Sequence, residues 1–193
     1  MFRYEASVGG GIPILNALTT ALRANSFIEI LGILNGTTNY ILSQMTDFGL
    51  EYEDVLKVAQ EKGFAEADPT ADVEGIDVAN KLSILISLVF GIRVPPASIP
   101  TEGITKITKN DIKRAAKSGN KIKLIATAKK ENGNLTYSVR PTLIPLSHPL
   151  AGVNNEFNAI FVKGNAVDEL MFYGKGAGPL PTGSAVMGDV IEI

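Results

Sequence analysis

Apolar positions recur at helical spacing through residues 72–91. In GFAEADPTADVEGIDVANKLSILISLVF, Val73, Ile84 and Leu88 share one stripe with Asp77 and Lys81 when each residue is turned by about 100°, and from Leu82 nearly every position is apolar. This pattern predicts a buried helix from about Asp72, a good N-cap, to Gly91. Gly63 is expected to close the preceding helix, because glycine accepts the left-handed turn. Pro69 keeps Asp68 extended, so 64–71 read as a loop. Upstream, Pro13 stands where a helix running to about Arg23 would begin. Phe27 to Leu34 alternates as a strand. Asn35-Gly36-Thr37-Thr38 then turns the chain into a helix from Asn39 to about Phe48, with Thr37 available as its cap. Gly49 stops that helix, and Tyr52 to Lys62 forms the next, with Val55, Val58 and Ala59 inward.

Downstream, the prolines of VPPASIPTEGIT mark a connection, with a short edge strand expected at Ile104 to Ile107. Lys109 to Ser118 reads as an amphipathic helix with Ile112, Ala115 and Ala116 inward. Lys121 to Lys130 and Leu135 to Ile144 alternate at period two around Glu131-Asn132-Gly133-Asn134, the clearest hairpin in the chain. A second hairpin joins Asn158 to Lys163 with Asp168 to Tyr173 across Gly164-Asn165. His148, beside Pro149, reads as a turn residue. Pro181-Thr182-Gly183-Ser184 opens a last helix whose pattern is still running at Ile193. The expected class is α+β: a mixed, largely antiparallel sheet with helices on one face, the other face available to a dimer.

The 193 residues, 45% hydrophobic with a formal net charge of −2, suffice for one sizeable core. Near-neutral charge gives no footprint for nucleic acid or an anionic membrane. With no cysteine and one histidine, disulfides, thiolate metal sites and multi-histidine sites are excluded. The run after Lys81 is about half a bilayer span, and the first residues do not resemble a signal peptide. A cytoplasmic protein is expected.

The chemistry concentrates between Gly63 and Lys81, where Glu66, Asp68, Asp72, Glu74 and Asp77 precede a lysine. Asp77 and Lys81 lie one helical turn apart. An acid and an amine at the half-buried end of an apolar helix are costly unless they meet each other or a polar ligand. A structural salt bridge and a ligand site are both open on spacing alone. Asn35 to Thr38, at a helix start, offers amides and hydroxyls to a carboxylate or phosphate. Gly9 to Gly11 free the backbone for a sharp turn. Neither this run nor Gly174 to Gly178 has the G-x-G-x-x-G spacing, and no P-loop occurs, so no nucleotide-binding unit is recognisable.

Four segments, YEASVGGGIPI, ILNGTTNYIL, GFAEADPTADVEGIDVANKL and GKGAGPLPTGSAV, together resemble the catalytic and dimerisation region of homoserine dehydrogenase, over nearly the whole chain. The third is the most specific. The resemblance implies NAD(P)-dependent interconversion of aspartate 4-semialdehyde and L-homoserine, on the route to threonine, methionine and isoleucine. It implies Lys81 as proton donor, with Glu66, Asp77, Asp72 and Thr37 around the substrate. Gly63, Glu66, Gly176 and Gly178 would lie toward the cofactor. A monovalent cation, sodium or potassium, would sit on backbone oxygens of Glu5, Val8, Gly10 and Ile12. It further implies a homodimer and an N-terminal Rossmann domain outside residues 1–193, to which the 176–193 tail would return. Two positions depart from the pattern: Phe64 stands where some members have a tyrosine near the substrate, and Gly183 replaces the usual alanine. The alternative is a non-enzymatic, dimerising amino-acid-binding module in which Asp77 and Lys81 are purely structural.

Overall fold

The computed structural model describes residues 2–193. After a 3₁₀ turn at Glu5–Ser7, α1 (Ile14–Asn16) continues as a π-helical turn, Ala17–Ala21, and leads into β1 (Phe27–Ile33). Next come α2 (Gly36–Phe48), α3 (Tyr52–Glu61), α4 (Thr70–Val73), α5 (Ile76–Phe90) and α6 (Lys109–Lys117). Two hairpins follow, β2 (Asn120–Glu131) with β3 (Asn134–Pro145) and β4 (Phe157–Gly164) with β5 (Asp168–Lys175), before α7 (Pro179–Ile191).

β1 is the centre of the sheet because both of its faces find apolar partners. The strand order is β3-β2-β1-β4-β5, and every ladder is antiparallel. Ile30, Ala126, Ala128, Ile160 and Val162 face the helices, where they meet Leu82, Leu85 and Ile86 of α5 and Ile41 of α2 in the main core. Ile33, Ile125, Ala159 and Phe161 form a smaller cluster on the opposite face, covered by Leu150, Ala151 and Val153. The rest of that face is more open, with Met171 40% and Tyr173 52% exposed. The chain is thus α+β with its helices on one face. Among the described residues the single parallel element is an isolated bridge between Thr101 and Val139.

The first hairpin turns on Asn132 and Gly133, both left-handed (φ 50° and 82°), the geometry a two-residue turn needs. His148 is a turn residue: its Nδ1 accepts from the Leu150 amide at 3.1 Å and its ring lies against Phe161.

Several local expectations are corrected. The helix expected from Asp72 is two helices, because Gly75 is left-handed at φ 81° and closely packed, with Thr101 and Val139 where a Cβ would go. Asp72 therefore lies inside α4 and is not the cap of α5. The 64–71 loop ends earlier, at Pro69, because Thr70 already opens α4. α2 starts at Gly36, and Asn35, not Thr37, caps it. Pro13 occupies the N-cap of α1. Ile104 to Ile107 form a turn, since the Ile104 amide donates to Val73 O and leaves no run for a strand. Val58 and Ala116 are exposed, and Tyr52 takes the third inward place on α3. In α5, Val78, Ala79, Leu82, Leu85 and Ile86 are buried, while Ile84 and Leu88 are half-buried.

Candidate active site

Where β1 ends and α2 begins, Asn35 ties three elements together. Its Oδ1 accepts from the Thr38 amide at 2.9 Å, capping α2. Its Nδ2 donates to Asp72 Oδ1 at 2.7 Å and to Asp77 Oδ2 at 3.0 Å. One amide thus sits between two carboxylates that would otherwise repel. With alanine at position 35 we expect the unfolding free energy to drop by about 2 kcal/mol, summing a lost cap and a lost bridge. Asn35→Ser restores the cap but not the bridge, so denaturant titration should return about half of the loss. Equal stability of all three proteins would refute the bridging role.

Lys81, one turn into α5, donates to Asp77 Oδ2 at 2.7 Å and to the Leu34 carbonyl at 2.9 Å. The side chains of the pair are 20% and 31% exposed, so both are largely withdrawn from water. An ammonium has three donors, and these contacts use two. The Thr37 hydroxyl lies 2.9 Å from Asp72 Oδ2 and 2.7 Å from the Phe64 carbonyl, two acceptors for a single proton. The amides of Gly36 and Thr37, at the first turn of α2, meet no acceptor among the described residues.

These groups wall a cleft of about 530 Å³. Thr37, Asp72, Asp77 and Lys81 line it, with Gly63 and Phe64 at the loop after α3. Glu156, Asn158 and the Lys175-to-Gly178 segment line it as well. Expected residues from three of the four segments therefore meet around one space. Glu66 does not join them: it is exposed, and Gln60 Nε2 donates to its carbonyl at 3.1 Å. Asp68 is also outside, making a local turn with Thr70 whose hydroxyl and amide hold its carboxyl below the usual range.

The glycine run abuts the same cleft from behind. Gly11 N donates to Lys175 O at 3.1 Å, and a Cβ on Gly10 (φ +56°) would lie 2.3 Å from Gly176 O. The carbonyls of Val8 and Gly10 accept no hydrogen bond among the described residues, whereas Ile12 O accepts from Ile14 N at 2.7 Å. Two free carbonyls in one tight turn fit a cation held by main-chain oxygens. The Glu5 carboxylate is occupied elsewhere, accepting from Leu15 N at 2.8 Å and Asn16 N at 2.7 Å. Burial raises its pKa, those two bonds oppose the rise, and Asp189 and Glu192 add to it. Among the described residues no group of three or more His, Cys, Asp or Glu could hold a metal ion.

A sequence model of the family described as homoserine dehydrogenase matches residues 13–191. The chain belongs to the homoserine dehydrogenase family. It is 48% identical over 190 residues to homoserine dehydrogenase of Bacillus subtilis, matching 98% of this chain and 44% of that protein. Against the Synechocystis enzyme the identity is 50% over 193 residues, again with 98% of this chain and 45% of the relative. The crystal structure of the Thiobacillus denitrificans homoserine dehydrogenase superposes with a TM-score of 0.95 at 47% identity, over 97% of this chain and 44% of that one. A hyperthermophilic archaeal homoserine dehydrogenase mutant, solved in complex with NADPH, gives a TM-score of 0.82 at 29% identity, over 98% of this chain and 54% of that one. The chain therefore spans about half the length of the relatives it matches. Its fold is that of part of the family's structures, and Glu156 and Asn158 line the cleft although motif spacing did not single them out.

Proposed function

We propose that the chain is the substrate-binding part of an NAD(P)-dependent homoserine dehydrogenase, interconverting aspartate 4-semialdehyde and L-homoserine in the cytoplasm. The observation that carries this reading is the Lys81 ammonium, held by Asp77 and Leu34 O at the edge of a cleft lined by Asp72 and Thr37. Reduction of an aldehyde builds negative charge on its oxygen, and a fixed ammonium stabilises that charge and then gives a proton. Lys81 protonates the oxygen as the carbon gains hydride, and takes the proton back in the reverse direction. Asp77 orients the ammonium. Asp72, which lines the cleft, attracts the substrate's α-ammonium, while Thr37 and the free amides at the start of α2 receive its carboxylate.

When bound, the nicotinamide cofactor supplies or accepts the hydride, and its preference between NAD and NADP is decided outside these residues. Gly63, Gly176 and Gly178, at the mouth of the cleft, are the positions that allow close approach. A monovalent cation held by the oxygens of Glu5, Val8, Gly10 and Ile12 would brace the glycine turn behind Gly176. The more open sheet face is the proposed homodimer surface, and the tail from 176 onward, including exposed Leu180, Met187 and Ile191 on α7, the side toward a nucleotide domain. Among the described residues no helix is long and apolar enough to cross a membrane.

The test joins this chain to a nucleotide-binding domain of the family. We expect the joined protein to oxidise L-homoserine with NAD(P)⁺, the isolated chain to be inactive, and sedimentation to report a dimer. A joined protein that binds cofactor but never turns over L-homoserine would refute the activity.

A further inference from the structure

Asn158 is a polar residue in an apolar strand. It stands on β4, two residues before Ile160 and in register with Gly174 of β5. It is 1% exposed. Its Oδ1 is the single buried side-chain N or O atom without a hydrogen-bond partner among the described residues. The residue lines the cleft that also holds Lys81 and Asp77.

The surrounding backbone is shaped to this side chain. A Cβ on Gly176 would lie 2.0 Å from Asn158 Nδ2 and 2.7 Å from Oδ1, so only glycine leaves the amide its place. Gly176 is in turn pressed by Gly10, whose Cβ would meet the Gly176 carbonyl at 2.3 Å. A leucine of similar size would suit the strand and carry no orphan acceptor. Native proteins seldom keep an unpaired buried oxygen unless a bound partner uses it.

We infer that Asn158 Oδ1 accepts a hydrogen bond from an N–H group of a small molecule bound in the cleft. The terminal torsion of an asparagine is broad and roughly two-fold, so turning the amide over presents the oxygen to the cleft. This inference rests on the dehydrogenase reading and names a contact of that same site. Two molecules of that reaction carry an N–H: the amino-acid substrate, in its α-ammonium, and the nicotinamide, in its carboxamide. Nearby acids already serve the Lys81 end of the cleft. Asn158 lines the same cleft beside Gly176, and is a neutral acceptor there.

The experiment compares Asn158→Leu with the parent, both joined to a nucleotide-binding domain. Titration calorimetry reads L-homoserine affinity, fluorescence reads NADPH affinity, and thermal unfolding without ligand reads stability. The expected result is an unlowered midpoint together with a dissociation constant weakened about tenfold or more for one of the two ligands. Loss confined to L-homoserine assigns the bond to the ammonium. Loss confined to NADPH assigns it to the carboxamide. Parent-like affinity for both, or a lowered midpoint with unchanged affinities, overturns the role of Asn158 and leaves the dehydrogenase reading standing. A parent that binds neither ligand overturns both. Should the leucine variant fail to fold, Asn158→Ala, which leaves the space empty, carries the same readings.

Discussion

Turnover falls by about 10²–10⁴-fold when Lys81 is replaced by methionine in the joined enzyme, the range that one positioned acid contributes. The size of the loss follows from what the side chain does. Its ammonium is fixed by Asp77 Oδ2 and Leu34 O, so the remaining donor is available without reorganisation as charge builds on the aldehyde oxygen. Methionine keeps most of the apolar stem and removes only the charge and the donors. The fold should tolerate this, because Asp77 keeps its bond from Asn35 and remains partly solvated. The unfolding midpoint should therefore move little, and kcat should fall far more than the substrate affinity changes. The non-enzymatic reading requires the reverse: stability falls and ligand affinity is unaffected. Steady-state kinetics with calorimetry of L-homoserine binding separates the two, and near-parental turnover would remove Lys81 from the mechanism.

Much of this site can be read from local sequence, because its parts sit on elements whose periodicity is strong. The i,i+4 spacing of Asp77 and Lys81 puts both on one face of any helix, and the hydrophobic run after them makes that helix certain to be packed. Both hairpins are legible for a similar reason: alternation about a short polar turn, Asn132-Gly133 in the first and Gly164-Asn165 in the second, specifies their register locally. What escapes is set by tertiary contacts. Gly75 lies mid-pattern, where a glycine is tolerated in a helix; it breaks the helix because Thr101 and Val139 press on it from a segment 26 residues and more away. That break turns Asp72 into a partner of Asn35 and Thr37 in place of a cap. Glu66 shares the spacing of its neighbours, yet the loop it stands on leaves it exposed. Asn158 looks like an ordinary strand residue until Gly176 is seen against it. Lys123 is the largest departure, since period-two alternation alone would put it on an open sheet face with Lys121.

Between pH 7 and 9, the stability of the wild-type chain should rise relative to that of Lys123→Met. Lys123 is 1% exposed, and Asn39 Oδ1 (2.9 Å), Ser43 Oγ (3.3 Å) and Val153 O (2.6 Å) surround its ammonium with no carboxylate in contact. Burial pulls its pKa down to about 7; Lys121 pushes the same way and Asp47 opposes. In the unfolded chain the ordinary value of 10.5 returns. Below about pH 7 both states hold the proton and the burial penalty stands in full. Between the two values the unfolded state binds the proton and the folded state does not, so stability climbs with pH, by at most about 1.4 kcal/mol per pH unit. Methionine has nothing to titrate, so the difference between the two proteins isolates this one group. The cage tolerates the change: Val153 O keeps a bond from Asn39, and Ser43 Oγ one from the Asn155 amide. Denaturant titrations at pH 6, 7.5 and 9 give the answer, and a difference that stays flat across that range would mean the lysine keeps its proton in the fold. The same cage joins Asn39, in the first turn of α2, to the start of β4 through Phe157 O at 2.9 Å. Deprotonation therefore acts on the two elements that carry Thr37 and Asn158 to the cleft, and any loosening there should show first as weaker L-homoserine binding at alkaline pH.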